Sequence, residues 1–508
     1  MNLLLIILFL ILLSSIPIIF KKSYKLIIIT SILIVLSFYF FISKNFFHID
    51  NFYPKNTIQA YMPLGNYYNL LLKSFKNYKL YITDDTVLPA LKDPNIYENY
   101  KYYALQNIDM YSLLDTSFYR GKIYLYFGIT PVLLFYGPFN FITNLYLTDK
   151  IIIFVLACFC FLLSLFLVNK LSREIIDTTE ISANIIILGI FFTGFCNFLP
   201  FLIIKDNIYE VAIVTAVFLL LLSFCIFYYY LNMKNTKKQY ILSFCLSLVL
   251  CFAVGARPHY ILFIPLFFIL IVWLKYKETK SIKNILKSAL VFLIPCLIYG
   301  TIIALYNYLR FDSIFEFGWK YQLNDLRQYD YTLLLKDSLL ALKYNLFQIP
   351  KIDNNTIFSL IEACGHRIGN EFVVGVIWTF PLIFLFVLIP KFLIDTFKHN
   401  RKFFYIVILM LFVIFINLVI TSFIGMVIRY FFEWMPFAII LSMILFFHLY
   451  VKIKTKFLKR ITNIFFVIIF IYSIFMNVSL LFSKNNSLFY VSSSQNNYDK
   501  TINFLFNK

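Results

Sequence analysis

Long apolar runs set the pattern of this chain. They lie near 2–20, 25–43, 151–169, 184–204, 208–230, 240–256, 258–275, 286–308, 371–390, 403–424, 428–450 and 461–482. Each is long enough to cross a bilayer as a helix. The expectation is an all-α polytopic membrane protein with about 12 transmembrane helices. No series of alternating ten-residue strands points to a β-barrel. The runs divide the chain into two N-terminal transmembrane helices (1–43), a large loop (44–150), a helix bundle (151–308), a second loop (309–370), C-terminal transmembrane helices (371–482) and a tail (483–508). The opening run lacks a basic n-region and a small-residue cleavage site, and reads as a retained helix.

The loop 44–150 departs from this pattern. Leu64, Tyr67, Tyr68, Leu71, Leu72 and Phe75 recur at helical spacing, with Lys73 and Lys76 on other faces. That is an amphipathic helix, lying on the membrane surface or packing on its own domain. Further on, LDTSFYRGKIYLYFGITPVLLFYGPF carries Asp115, Arg120 and Lys122, and Asp84 and Asp85 precede it. The apolar part, Tyr124–Ile142, is interrupted by Gly128, Pro131, Gly137 and Pro138. It reads as a re-entrant or juxtamembrane helix buried against protein.

Composition narrows the class. The chain has 508 residues, of which 61% are hydrophobic and 14% charged, too apolar for a soluble globule. The net charge of +20 does not point to nucleic acid, because the basic residues gather in short loops between spans. Of the 8 cysteines only Cys364 lies in a long loop, and no metal-ligand spacing occurs. Aromatic residues reach 20% as a bias of the whole chain, so their abundance alone does not indicate ligand stacking.

If the basic loops are cytoplasmic, both long loops and both termini lie outside. The expected location is the cytoplasmic (inner) membrane, with the active site facing outside. Several ionisable residues then sit at outer helix ends: Lys205, Asp206 and Glu210 in IIKDNIYEVAI, Arg257 and His259 in GARPHY, Arg310 and Glu316 in YNYLRFDSIFEFGWKYQL, and Arg429 and Glu433 in IRYFFEWMPF. One such residue can be a snorkelling anchor or a local pair, Glu433 with Arg429 four positions earlier among them. Arginines on three separate hairpins, where the positive-inside rule should deplete them, instead suit an anionic phosphate.

GNYYNLLLKSFKNYKLYI, DTSFYRGKIYLYFGITP, NIYEVAI, GARP, YNYLRFDSIFEFGWKYQL and RYFFEWMPF, in that order over roughly residues 60–440, resemble the GT-C superfamily of membrane glycosyltransferases. Its dolichyl-phosphate-mannose protein mannosyltransferases are similar, and an uncharacterised bacterial subgroup is more similar still. The resemblance implies a polyprenyl-phosphate-linked sugar as donor, membrane lipids around it, and a glycan, lipid or protein as acceptor. It implies Lys122, Arg257 and Arg429 as donor-phosphate ligands. Gly65 and Asn66 stand where the family has an acidic pair. Either Asp115 or Asp84/Asp85 takes over as catalytic base, or the protein does not catalyse transfer.

The expected reaction is inverting transfer, with Asp115 as base and Arg310 and Glu316 ordering the second loop over the sugar, near Glu210 and His259. No cofactor is required, and a divalent metal is compatible with the scheme. The alternative is a flippase, exporter or envelope scaffold for lipid-linked glycans. Transporters usually carry charged or broken helices at mid-bilayer, whereas here the polar residues collect at span ends.

Overall fold

The computed structural model describes residues 24–43, 53–54, 67–84, 89–97, 99, 115–174, 181, 183–205, 208–323, 331–350, 374–424 and 428–481. The expected span at 2–20, Asp85, Gly65, Asn66, Asp206, Cys364 and the tail lie outside the described residues.

In chain order the elements begin with α1 (Tyr24–Ile42), β1 (Tyr53–Pro54), α2 (Tyr67–Lys76), β2 (Thr83–Asp84), β3 (Ser117–Tyr119) and β4 (Lys122–Tyr124). Then come a π-helical turn (Val132–Tyr136), α3 (Gly137–Thr143), β5 (Leu145–Tyr146), α4 (Asp149–Arg173), α5 (Ala183–Phe195) and α6 (Leu199–Lys205). The next helices are α7 (Ile208–Asn232), α8 (Thr236–Ala256), a 3-10 turn (Pro258–Leu262), α9 (Phe263–Thr279), α10 (Ile282–Phe311) and α11 (Tyr331–Phe347). The chain closes with α12 (Val376–Thr379), a 3-10 segment (Pro381–Leu388), α13 (Ile389–His399), α14 (Arg401–Ile424), a 3-10 turn (Ile428–Glu433), α15 (Met435–Lys452) and α16 (Lys456–Leu481).

Among the described residues, 9 helices are long and apolar enough to cross a membrane: α4, α5 with α6, α7, α8, the 3-10 turn with α9, α10, α14, α15 and α16. The protein is an all-α, multi-pass membrane protein. Its helices differ in how much lipid they meet. α5, α7 and α15 are buried almost all round and form the centre, whereas α9, α10 and α16 turn most of their surface outward. The expected span at 371–390 is not one helix. Pro381 and Pro390 each remove a backbone donor and restrict the residue before them, so the described part breaks into α12, the 3-10 segment and α13. The second long loop also carries a helix of its own, α11, packed on α14. The span over 183–204 bends at Asn197, whose side chain takes the Leu199 N–H at 3.0 Å and donates to the Thr193 carbonyl at 2.7 Å. Those bonds satisfy the backbone groups that the bend frees.

Successive hairpins put charge at opposite ends of the bundle. One end holds the Lys234–Lys238, Lys275–Lys287, Lys398–Lys402 and Lys452–Arg460 connections. The other holds the α8–α9 turn, the C-terminus of α10 and the turn before α15, with both long loops.

At the loop end, α2 buries Tyr67, Tyr68, Leu71 and Leu72 against the π-helical turn, so it packs on its own domain. A small antiparallel sheet in the order β2-β4-β3 lies beside it, and β1 pairs with β5. The expected re-entrant segment becomes β4, an extended strap, and a short apolar helix over Val132–Thr143. The strap is held down at Thr130, which donates to the Phe252 carbonyl at 2.8 Å and lies 3.1 Å from the Tyr299 hydroxyl. Gly128 is needed here, since a Cβ would stand 1.9 Å from the Gly255 carbonyl oxygen.

Gly128→Ala should therefore destabilise the protein by about 1–3 kcal/mol or more, because a helix backbone cannot yield as a side chain would. Gly300→Ala is the control: nothing lies within 4 Å of its Cβ position, and α10 should be unchanged or slightly firmer. Thermal unfolding in detergent, followed by tyrosine and tryptophan fluorescence, separates the two. Equal melting temperatures for wild type and Gly128→Ala would show that the strap does not approach α8 this closely.

Candidate active site

The site begins at a turn that the sequence forces. Pro258 has no N–H and pushes Arg257 to φ −138°, so α8 stops there and a 3-10 turn starts. The Arg257 side chain then reaches across the bundle to Glu433. Its Nε donates to Glu433 Oε1 at 2.8 Å and its Nη2 lies 2.7 Å from the same oxygen. His259 Nε2 lies 3.2 Å from Oε2. Asn417 Nδ2 donates to the Glu433 backbone carbonyl at 3.1 Å. The Glu433 side chain is 0% exposed, so its charge survives through these partners alone. Burial pushes the carboxyl up, but Arg257 and His259 outweigh it and hold Glu433 below the usual carboxylate range. Burial works against the Arg257 guanidinium as well, yet Glu433 and the neighbouring tyrosines hold it above its ordinary range.

Arg429 and Glu433 do not form the local pair their spacing offers. They lie in a 3-10 turn, Ile428–Glu433, where residues four apart point about 120° from each other. Arg429 instead approaches Glu210 at the start of α7, Nη1 to Oε1 at 3.8 Å. It also packs over the Tyr209 ring at 4.4 Å and near Tyr430 at 5.7 Å. Tyr430 receives Arg257 as well, at 5.1 Å. One phenol ring is thus approached by two guanidinium groups.

Tyr209 connects this pair to an acid. Its hydroxyl donates to Asp115 Oδ2, and Gln322 Nε2 donates to Oδ1 at 2.9 Å. Asp115 sits at φ 60°, in the left-handed region that Asp and Asn tolerate better than most residues. Its backbone N–H donates to the Leu323 carbonyl at 2.9 Å, and the Leu323 N–H donates to Thr116 at 2.8 Å. The second loop is therefore laced to the first beside the acid. Ser117 donates to the Gly318 carbonyl at 2.9 Å, and Arg120 pairs with Asp312 at 2.6 Å. Tyr126 lines the same region: burial raises its phenol above the ordinary range against the opposing pull of Arg257.

Of the residues singled out in the sequence, Asp115, Arg257, Arg429, Glu210 and His259 come together. The others take different places. Lys122 is exposed on β4, 5.0 Å from the Tyr81 ring, which Lys79 also approaches at 5.3 Å. Asp84 pairs with Lys122 in backbone register on β2. Arg310 is buried and donates to the Leu125 carbonyl at 3.0 Å and to Asn307 Oδ1 at 2.8 Å, tying α10 to the strap. Glu316 accepts the backbone N–H of Gly318 at 2.6 Å and of Lys320 at 3.3 Å, holding its own turn. Sequence reasoning missed Tyr209, Tyr430 and Gln322, and offered Glu433 only a local pair with Arg429. The available signal was a carboxylate inside the buried aromatic run FFEW, which needs a cation from elsewhere. Among the described residues, no three His, Cys, Asp or Glu side chains gather as a metal-binding group.

No protein-family model and no curated protein matches the chain. Two solved structures are similar to it in shape. One is the oligosaccharyltransferase of Archaeoglobus fulgidus in the apo form, with TM-score 0.46, 12% identity, and coverage of 89% of this chain and 56% of that one. The other is the archaeal oligosaccharyltransferase AglB from Archaeoglobus fulgidus in complex with an inhibitory peptide and a dolichol-phosphate, with TM-score 0.45, 14% identity, and coverage of 91% and 56%. This chain thus spans little over half the length of either. Likenesses of this depth carry no argument about its chemistry, which rests on the geometry above.

Glu433→Gln should cost about 3–5 kcal/mol, the range for removing one partner of a buried ion pair. Its pH dependence has a definite sign. A carboxyl held low in the folded state adds stability that is fully present above the usual carboxylate range and is lost as pH falls through the depressed value. Wild type should lose this increment on acidification, and Glu433→Gln should show a flatter profile in that window. Parallel melting curves across the acid range would remove the pairing.

Proposed function

We propose that the chain is a membrane glycosyltransferase moving a sugar from a polyprenyl-phosphate donor to an acceptor hydroxyl at the outer face of the cytoplasmic membrane. The observation that carries this reading is the convergence of Asp115, Arg257 and Arg429, from three distant stretches of chain, around Tyr209 and Tyr430. The GT-C-like order of sequence motifs supports it.

In this scheme Asp115 takes the proton of the acceptor hydroxyl, held in place by Tyr209 and Gln322. The acceptor oxygen bonds to the anomeric carbon from the face opposite the phosphate. The bond from that carbon to the phosphate oxygen breaks, its electron pair leaves with the lipid phosphate, and the configuration inverts. Arg257 and Arg429 neutralise the charge that develops there. Glu433 engages only the Nε–Nη2 edge of Arg257, and a guanidinium carries five N–H donors. Lys122 stands apart on the sheet and is left out of the phosphate site. The scheme calls for no metal. A flippase or exporter would need its polar groups within the spans, whereas this cluster lies at one end of the bundle.

Asp115→Asn is the decisive variant. Asn tolerates the same left-handed backbone and can still bond to Tyr209, so the fold should hold while transfer falls by about 10²–10⁴. Arg429→Ala should cost about 10²–10³ in kcat. The assay offers purified protein a panel of polyprenyl-phosphate sugars and follows release of lipid phosphate. Unchanged release by Asp115→Asn would remove the base, and no release from any donor by folded wild type would favour a scaffold. Reporter fusions at the exposed Tyr78 turn test the orientation, and a cytosolic signal there would overturn the outer-face assignment.

A further inference from the structure

The second loop carries an apolar surface that the mechanism does not use. Phe315 is 83% exposed and Trp319 64%, with Ile314 and Phe317 also open. Side chains this apolar are costly in water, and among the described residues no other part of the loop shields them. They follow within a few residues of α10, on which Leu305, Tyr308 and Leu309 are exposed and which is largely unburied along its length.

Helix geometry sets the level of this surface. Lys287 marks the basic end of α10. About 30 Å of hydrocarbon takes about 20 residues at 1.5 Å each, which brings the helix out of the apolar layer near Asn307 and Tyr308. The exposed loop begins only a few residues later. Its backbone is suited to that depth, because Glu316 satisfies the N–H groups of Gly318 and Lys320 within the turn. Trp319 and the following Lys320 are the residue types that anchor protein at headgroup level. Behind the loop, the Trp319 ring lies 6.2 Å from Tyr126, so the surface borders the arginine–aspartate cluster.

We propose that the Ile314–Trp319 loop is seated in the bilayer interface, with phospholipid acyl chains and headgroups covering Phe315 and Trp319. The claim is independent of the enzymatic reading, because it concerns where the loop sits and not what the site does. Its place a few residues after the largely unburied α10 selects lipid over a protein partner.

The test uses full-length protein in phosphatidylethanolamine/phosphatidylglycerol proteoliposomes. Phe315 is replaced by the photo-reactive p-benzoylphenylalanine, with the same substitution at Tyr78, which is 99% exposed, as the aqueous control. Mass spectrometry after illumination should find phospholipid adducts at position 315 at least about 10-fold above position 78. A second arm avoids that variant: phospholipids brominated near the headgroup should quench wild-type fluorescence more than that of Trp319→Phe. Adducts to a second copy of the chain, equal adducts at the two positions, or equal quenching in wild type and Trp319→Phe would each overturn the proposal.

Discussion

The burial of one carboxylate governs the working end of this protein. Glu433 is fully buried, so its charge is tolerable only while Arg257 and His259 stay against it. Those two residues belong to the α8–α9 turn, and Glu433 belongs to the turn before α15. The ion pair therefore ties two parts of the bundle that are far apart in sequence. It also sets the direction of Arg257, which places its guanidinium near the Tyr430 ring that Arg429 approaches as well. Removing that tie would leave Arg257 without the partner that aims it toward Tyr430.

The second constraint is steric. The strap between β4 and the π-helical turn crosses α8 so closely that Gly128 meets the backbone of Gly255. With Thr130 bonded to the Phe252 carbonyl, the approach fixes the height of the strap above the bundle. Phe127 then packs edge-on to Tyr209, and Asp115, upstream in the same hairpin, reaches the Tyr209 hydroxyl. Arg310 secures the strap from the other side through Leu125. Its buried guanidinium works as a fastening, although at a helix end in the sequence it looked much like Arg257 and Arg429.

Two loops far apart in sequence are bonded into one layer beside the acid. Asp115, Thr116 and Ser117 exchange backbone and side-chain bonds with Gly318, Gln322 and Leu323. The acid is positioned by the second loop as much as by the first. A change in the loop after α10 should thus be felt at Asp115 without touching it, since Gln322 holds the second carboxylate oxygen.

Hydrophobic periodicity alone determined that the chain is a multi-pass helical membrane protein, because a run of apolar residues has no stable place in water. It also located most span boundaries, and it showed that Tyr124–Ile142, broken by glycine and proline, differs from its neighbours. The excess of arginine at helix ends away from the basic loops drew attention to Arg257 and Arg429, since charge asymmetry is a property of sequence position. Partner choice was beyond its reach. Whether Glu433 met Arg429 or Arg257 turned on a 3-10 turn instead of an α-helical one, which rotates the two side chains apart. Whether Lys122 or Arg310 joined the cluster depended on strand register and on how α10 packs. Tyr209, Tyr430 and Gln322 were invisible in a chain rich in tyrosine, because only tertiary packing brings two arginines near one phenol and sets another phenol and an amide on an aspartate.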